Sequence, residues 1–188
     1  MKKSLIIIGV VAVVIIAVCG YAWSTYNSFV ALGQTIDTEW ANVETQYQRR
    51  ADLIPNLVNT VKGYAKHEQE TLDQVVAARA KALAGTNNVA EYNAAQQEVT
   101  SALGRLIAIA ESYPDLKANT NFLELQSQLE GTENRIAVAR KNYNEAVKGY
   151  NTLIKKFPSN LVAKMFDFAE RDLFSATEGA EQVPQVAF

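Results

Sequence analysis

Between Phe122 and Phe157 the chain repeats one spacing: Leu125, Leu129, Thr132, Ile136, Ala139, Tyr143, Val147, Tyr150 and Ile154 follow at steps of three or four residues. A strand, with its period of two, cannot put such a set on one side, whereas a helix places all of them on one face. Sustained over about five heptads, the stripe reads as a coiled-coil seam that needs partner helices. Nine Gly and four Pro in 188 residues are too few to supply the turns of an all-β fold. The fold class is therefore all-α.

Three further helices are expected beside this one. Phe29, Leu32, Ile36, Trp40, Val43 and Tyr47 share one face of a first helix that starts near Ser24. Pro55 disfavours helix at Ile54 and Asp52 is able to cap, so a turn or sharp kink is predicted over Asp52–Pro55. A second helix then runs from Leu57 to Leu83 and stops at Gly85-Thr86-Asn87-Asn88, and a third runs from Val89 to Ala110 and ends at Tyr113-Pro114-Asp115. The seam helix ends at Phe157-Pro158-Ser159-Asn160, where Ser159 is a candidate cap. Short links make neighbours antiparallel, so residues 24–160 should form an elongated antiparallel four-helix bundle. Val162, Met165, Phe166, Phe168 and Ala169 suggest a short amphipathic helix over its membrane-proximal end, and the rest of 161–188 reads as an acidic, largely extended tail. Tyr-Asn recurs at Tyr26, Tyr92, Tyr143 and Tyr150, a ring that packs beside an amide that bonds across helices.

The N-terminus, residues 1–23, is a membrane anchor. Leu5 to Ala22 is 18 residues without a charge, and as a helix it covers about 27 Å of a hydrocarbon layer roughly 30 Å thick. A cleaved signal peptide would usually have a shorter apolar region, of about 7 to 15 residues. Lys2 and Lys3 lie before the span and no cation follows it until Arg49. By the positive-inside bias the bundle is then extracytoplasmic, in a single-pass protein of a bacterial cell membrane. Removing those two lysines leaves 16 cations against 20 acids, or −4, so the soluble part has no electrostatic pull towards nucleic acid or anionic lipid.

One Cys and one His cannot build a zinc site, a disulfide or paired Glu-x-x-His motifs. His67, beside Glu68 and Glu70, reads as part of a solvated helix face, and no glycine-rich phosphate loop occurs. No catalytic, metal or cofactor-binding residue is therefore assigned. Two polar clusters stand out. Arg49 and Arg50 either grip an acidic partner or pair within the fold with Asp52, Glu130 or Glu133. Glu133, Asn134 and Arg140 flank the seam and, with Asp52, are candidates for a polar network that sets helix register. At the C-terminus, Val186 and Phe188 on an extended end suit strand addition to a peptide-binding, PDZ-type module.

Several of these stretches resemble the LemA family of bacterial envelope proteins. They are Tyr47-Gln48-Arg49-Arg50-Ala51-Asp52-Leu53-Ile54-Pro55-Asn56-Leu57-Val58 with Val61-Lys62-Gly63-Tyr64-Ala65 and His67-Glu68, then Tyr113-Pro114-Asp115-Leu116-Lys117-Ala118-Asn119 and Thr132-Glu133-Asn134, and finally Tyr143-Asn144, Tyr150-Asn151 and Phe157-Pro158. The similarity covers nearly all of the chain from about Ser24. It implies a membrane-tethered bundle of long helices with no established catalysis. Some relatives look like lipoproteins, but Val18 before Cys19 departs from that pattern. Family descriptions place the N-terminus outside, opposite to the charge asymmetry.

The function expected from these features is that of a non-catalytic envelope scaffold or adaptor, in contact with other envelope proteins and open to homo-oligomerisation through the seam. The alternatives are an enzyme that uses Glu and Arg side chains of the bundle, or a subunit of an oligomeric membrane or lipid-handling assembly.

Overall fold

The computed structural model describes residues 2–65, 67–86 and 88–175. All regular structure among them is helical, in the order α1 (Lys2–Tyr64), α2 (Gln69–Leu83), α3 (Val89–Ala110), α4 (Pro114–Lys117), α5 (Thr120–Lys155) and α6 (Ser159–Met165). The predicted anchor is the first part of α1, the one helix among the described residues long and apolar enough to cross a membrane.

The predicted turn at Asp52–Pro55 does not exist. α1 continues through Pro55 to Tyr64, and Val43, Tyr47, Ile54, Leu57, Val61 and Ala65 are all buried along a single stripe. A proline inside a helix leaves the carbonyl four residues earlier without its N–H donor. That carbonyl is Ala51 O, and the Arg79 guanidinium of α2 donates to it through Nε at 2.7 Å. A side chain from the neighbouring helix thus offsets the lost hydrogen bond, and the stripe keeps its phase. Asp52 caps nothing; its carboxylate accepts from Gln48 Nε2 at 2.8 Å on the exposed side of α1. The chain turns instead between Tyr64 and Gln69. From residue 66 to Thr71 no apolar side chain occurs, so that stretch offers the core nothing to bury.

By contact the chain divides into two units. Of the described residues, one holds 2–40 with Asn142–Asp172, and the other holds Ala41–Lys141 with 173–175. The core of the second unit is a single cluster. Ile54, Leu57 and Val61 from α1 meet Leu72 and Val75 from α2, Val99, Leu103 and Leu106 from α3, Leu116 from α4, and Phe122 and Leu129 from α5. Its links are tied by specific bonds. α2 ends at Gly85, whose φ of 72° is the left-handed geometry that closes a helix without cost to glycine. Asn88 Oδ1 caps α3 by accepting from the N–H groups of Ala90 and Glu91 at 2.8 and 3.1 Å. At the opposite end Asn119 caps α5 through Phe122 N–H and donates to the Tyr64 hydroxyl, while the Tyr113 hydroxyl donates to Glu68.

In the first unit α1 and α5 lie antiparallel. The Trp40 ring meets Tyr143 with centroids 5.5 Å apart and Phe29 meets Tyr150 at 5.8 Å. Ser159 does not cap α6; its hydroxyl donates to the carbonyls of Leu153 and Lys156, closing the end of α5. α6 ends with Asp167 in the left-handed region (φ 57°) and Phe168 N–H bonded back to Ala163 O at 2.9 Å, the six-to-one bond of a Schellman motif. The chain then returns along α5. Asn151 grips the Arg171 backbone from both sides, donating to its carbonyl at 2.8 Å and accepting from its N–H at 3.0 Å, and the Tyr143 hydroxyl donates to Asp172 O. The amide of Asn151, one of the Tyr-Asn pairs, thus holds an extended segment rather than another helix. In the second unit, Phe174 is buried, so the expectation of a tail with little to bury fails at that residue.

If Arg79 completes the α1 hydrogen-bond ladder, Arg79→Ala should cost about 1–3 kcal/mol, the penalty of a buried acceptor left bare. In a Pro55→Ala background, where residue 55 regains an N–H, the same change should cost less than half as much. Urea midpoints of the four full-length proteins in one mild detergent would measure the coupling, and equal costs in both backgrounds would refute this account.

Candidate contact site: the buried arginine and its cleft

The most buried charged group in the described chain is Arg50, at 1 % exposure. It stands where the α1 stripe calls for an apolar residue, three after Tyr47 and four before Ile54. Its Nη1 donates to Glu133 Oε1 of α5 at 2.7 Å and to Thr100 Oγ1 of α3 at 2.9 Å. Its Nη2 donates to Gln96 Oε1 at 2.6 Å and to the Gln96 carbonyl at 3.0 Å. One guanidinium therefore joins three helices through four acceptors, a task suited to a planar fork with five donors and beyond the three donors of a single ammonium. The Tyr47 ring lies under it, 4.9 Å from the guanidinium carbon, and Tyr92 of α3 meets Tyr47 edge-on at 5.5 Å.

The pair is asymmetric: the Arg50 side chain is 2 % exposed and that of Glu133 43 %. The carboxylate keeps part of its hydration, so only one ion bears most of the desolvation cost, and the hydrogen bonds of Gln96 and Thr100 offset it. Burial also raises the proton affinity of both tyrosines. Tyr47 is raised by burial despite the opposing pull of Arg140 and Arg50. Tyr92 is pushed up to about 12, first by burial and then by the charges of Glu44 and Tyr47.

Of the two readings of Arg50, the structure takes the internal one. Arg50 is not a partner contact: it is buried, and its four hydrogen bonds to Glu133, Thr100 and Gln96 end inside the fold. Arg49, its neighbour, is exposed. Of the four residues expected in a network, Glu133 bonds Arg50 directly and Arg140 reaches the same cluster through a hydrogen bond with the Tyr47 side chain. Asp52 and Asn134 face solvent, and Arg140 donates to Ser175 O at 2.9 Å and covers the Phe174 ring at 5.0 Å. Val186 and Phe188 lie outside the described residues. Gln96 and Thr100 went unnoticed in the sequence, although Gln96 interrupts the α3 stripe between Tyr92 and Val99 just as Arg50 interrupts that of α1. Two polar residues in stripe positions on separate helices were the available signal.

Beside the arginine, α1, α2 and α3 enclose a cleft of about 800 Å³. Glu44, Gln48, Arg49, Asp52 and Leu83 are among its lining residues, and Arg50 and Arg79 form part of its wall. Among the described residues no three His, Cys, Asp or Glu side chains stand close enough together to hold a metal ion.

Replacing Arg50 by Ala strands Gln96 and the Glu133 carboxylate, and the expected loss is about 3–5 kcal/mol. Arg50→Lys keeps the charge but cannot meet all four acceptors and should recover less than half of that. Chemical denaturation of the full chain in detergent would test both, and a loss under about 1 kcal/mol for the Ala variant would contradict the role assigned here. A pH effect follows from Tyr92. Its value in the fold, about 12, lies above the ordinary 10.0 of an unfolded tyrosine. Its contribution is therefore complete below pH 10 and is lost as pH rises from there towards 12. Stability should fall over that window, and Tyr92→Phe should flatten the fall.

Residues 39–188 match the LemA family. The chain is 26 % identical to magnetosome protein MamQ 2 of Paramagnetospirillum magneticum, over 91 % of this chain and 71 % of that protein. It is 26 % identical to protein LemA of Metamycoplasma hominis, over 72 % of this chain and 62 % of the relative. With MamQ of Magnetospirillum gryphiswaldense the identity is 25 %, over 79 % and 64 %. The family match takes in most of the sequence, including the arginine, its α3 and α5 partners and the cleft residues of α1, and on that ground the chain belongs to the LemA family.

Proposed function

We propose that this protein is a non-catalytic scaffold or adaptor tethered to the bacterial cell membrane, meeting other envelope proteins through the exposed faces of its helices. The observation that carries the reading is the closure of its strongest charged centre: the Arg50 guanidinium is consumed in holding α1, α3 and α5 together. What it leaves for function is surface, and the cleft with the exposed Arg49 at its edge is a concave part of that surface. The apolar start of α1 supplies location. The LemA family match and relatives named as magnetosome proteins support a membrane-associated, non-enzymatic protein. With Lys2 and Lys3 held on the cytoplasmic side, the helices after the span are extracytoplasmic.

A photo-crosslinking amino acid placed at residue 49 of the full chain in living cells should yield adducts with envelope proteins. In Arg49→Glu, with a crosslinker at Gln48 instead, those adducts should fall severalfold. The thermal midpoint should barely move, since an exposed charge change costs within about 0.5 kcal/mol. Adducts that are absent from both positions, or unchanged by the charge reversal, would remove the cleft edge as the contact surface.

A further inference from the structure

The corner between α5 and α6 turns apolar side chains outward. Phe157 is 75 % exposed, Met165 74 %, Leu161 57 % and Phe166 47 %. The seam that buries Tyr143, Val147 and Tyr150 thus ends on a phenylalanine that nothing covers. α6 is two-sided: Val162 and Ala163 are buried, while Leu161 and Met165, four apart and on one face, look outward with Lys164 beside them. An exposed apolar patch of this kind marks a surface with a partner.

The position of this corner identifies the partner. Phe166 packs edge-on against Tyr26, with centroids 4.9 Å apart, and Phe168 stacks on Phe29 at 4.8 Å. Tyr26 comes three residues after Trp23, where the apolar span of α1 ends, which is about 4.5 Å along the helix axis. The polar zone of one leaflet is about 5–7 Å deep, so α6 stands at its level. α5 gives the same height independently. Tyr150 is opposite Phe29, and at equal rise along antiparallel helices Lys155, the last residue of α5 and five further on, falls level with Ser24, just past the apolar span. Phe157 follows two residues beyond that level.

We propose that the α5–α6 corner is a second membrane contact, with Phe157, Leu161, Met165 and Phe166 inserted among lipid headgroups and upper acyl chains beside the exit of α1. Lys156 and Lys164 flank the patch and reach from it to the phosphates, their stems lying along the apolar surface. The contact rests on the reading of α1 as a span. It makes the first unit lean on the bilayer through two elements, which limits how freely that unit tilts about its anchor.

The test uses the full chain with Cys19→Ala and Met165→Cys, spin-labelled at the new thiol, in phosphatidylethanolamine–phosphatidylglycerol vesicles. A label on Asn134→Cys, an exposed site in the other unit, is the reference. At position 165 collisions with a water-soluble nickel chelate should fall severalfold below the reference and collisions with oxygen should rise. Both should hold as lipid is added at fixed protein. Leu161→Asp should reopen position 165 to the chelate with helix content unchanged. A chain that floats with vesicles while position 165 stays as open as the reference overturns the proposal and leaves the anchor intact. Protection that fades on lipid dilution overturns it in favour of a second copy of the chain, and protection that survives Leu161→Asp also counts against it. A chain that does not float removes the span and the proposal together.

Discussion

The second unit depends on a guanidinium where a greasy side chain would have been simpler. Arg50 occupies a stripe position, and its two outer nitrogens meet a carboxylate, a hydroxyl, an amide and a backbone carbonyl on two other helices. Apolar stripes on long helices tolerate sliding by a heptad, because each step presents a similar surface. The four acceptors around Arg50 do not, since one register satisfies them and a slip would leave a buried charge bare. The same group that makes register unique is thereby withdrawn from chemistry and from partners.

A second arginine solves a different problem. Pro55 lies in a motif that reads locally as a turn, and the local reading is sound as far as it goes, because the ring removes a donor and crowds the preceding turn. The helix survives because Arg79, arriving from α2, supplies the missing donor to Ala51. The carbonyl and its donor are 28 residues apart, so no window of helical length contains both. The signal that the helix continues was there in another form: Tyr47, Arg50, Ile54, Leu57 and Val61 keep their phase across the proline.

In the first unit, aromatic rings take the place of a broad aliphatic core. Phe29, Trp40, Tyr143, Tyr150 and Phe168 make pairwise contacts along α1 and α5, and Asn151 and Tyr143 fasten the returning segment by its backbone. Two helices and a strap bury little area, so large rings with few rotors gain most per residue ordered. At the end nearest the span the seam leaves Phe157 and Met165 exposed, where an aqueous environment would favour polar groups.

Periodicity alone was enough to establish helices and the faces they bury, because burial of a stripe is a property of each segment taken by itself, and the uncharged run marked the long apolar helix at the N-terminus. Thus Phe29, Val43, Ile136 and Val147 are inside, as their spacing requires. The resemblance carried by the Arg49–Pro55 motif likewise agreed with the family match. What needed the tertiary structure was every decision that compares distant parts of the chain: that α1 passes Pro55, that Arg50 turns inward to Glu133 while Arg49 stays outside, and that Asp52 and Asn134 take no part. Those outcomes depend on which donor meets which acceptor across helices, and a hydrogen bond only a few ångströms long has no counterpart in the order of residues along a single strand of sequence.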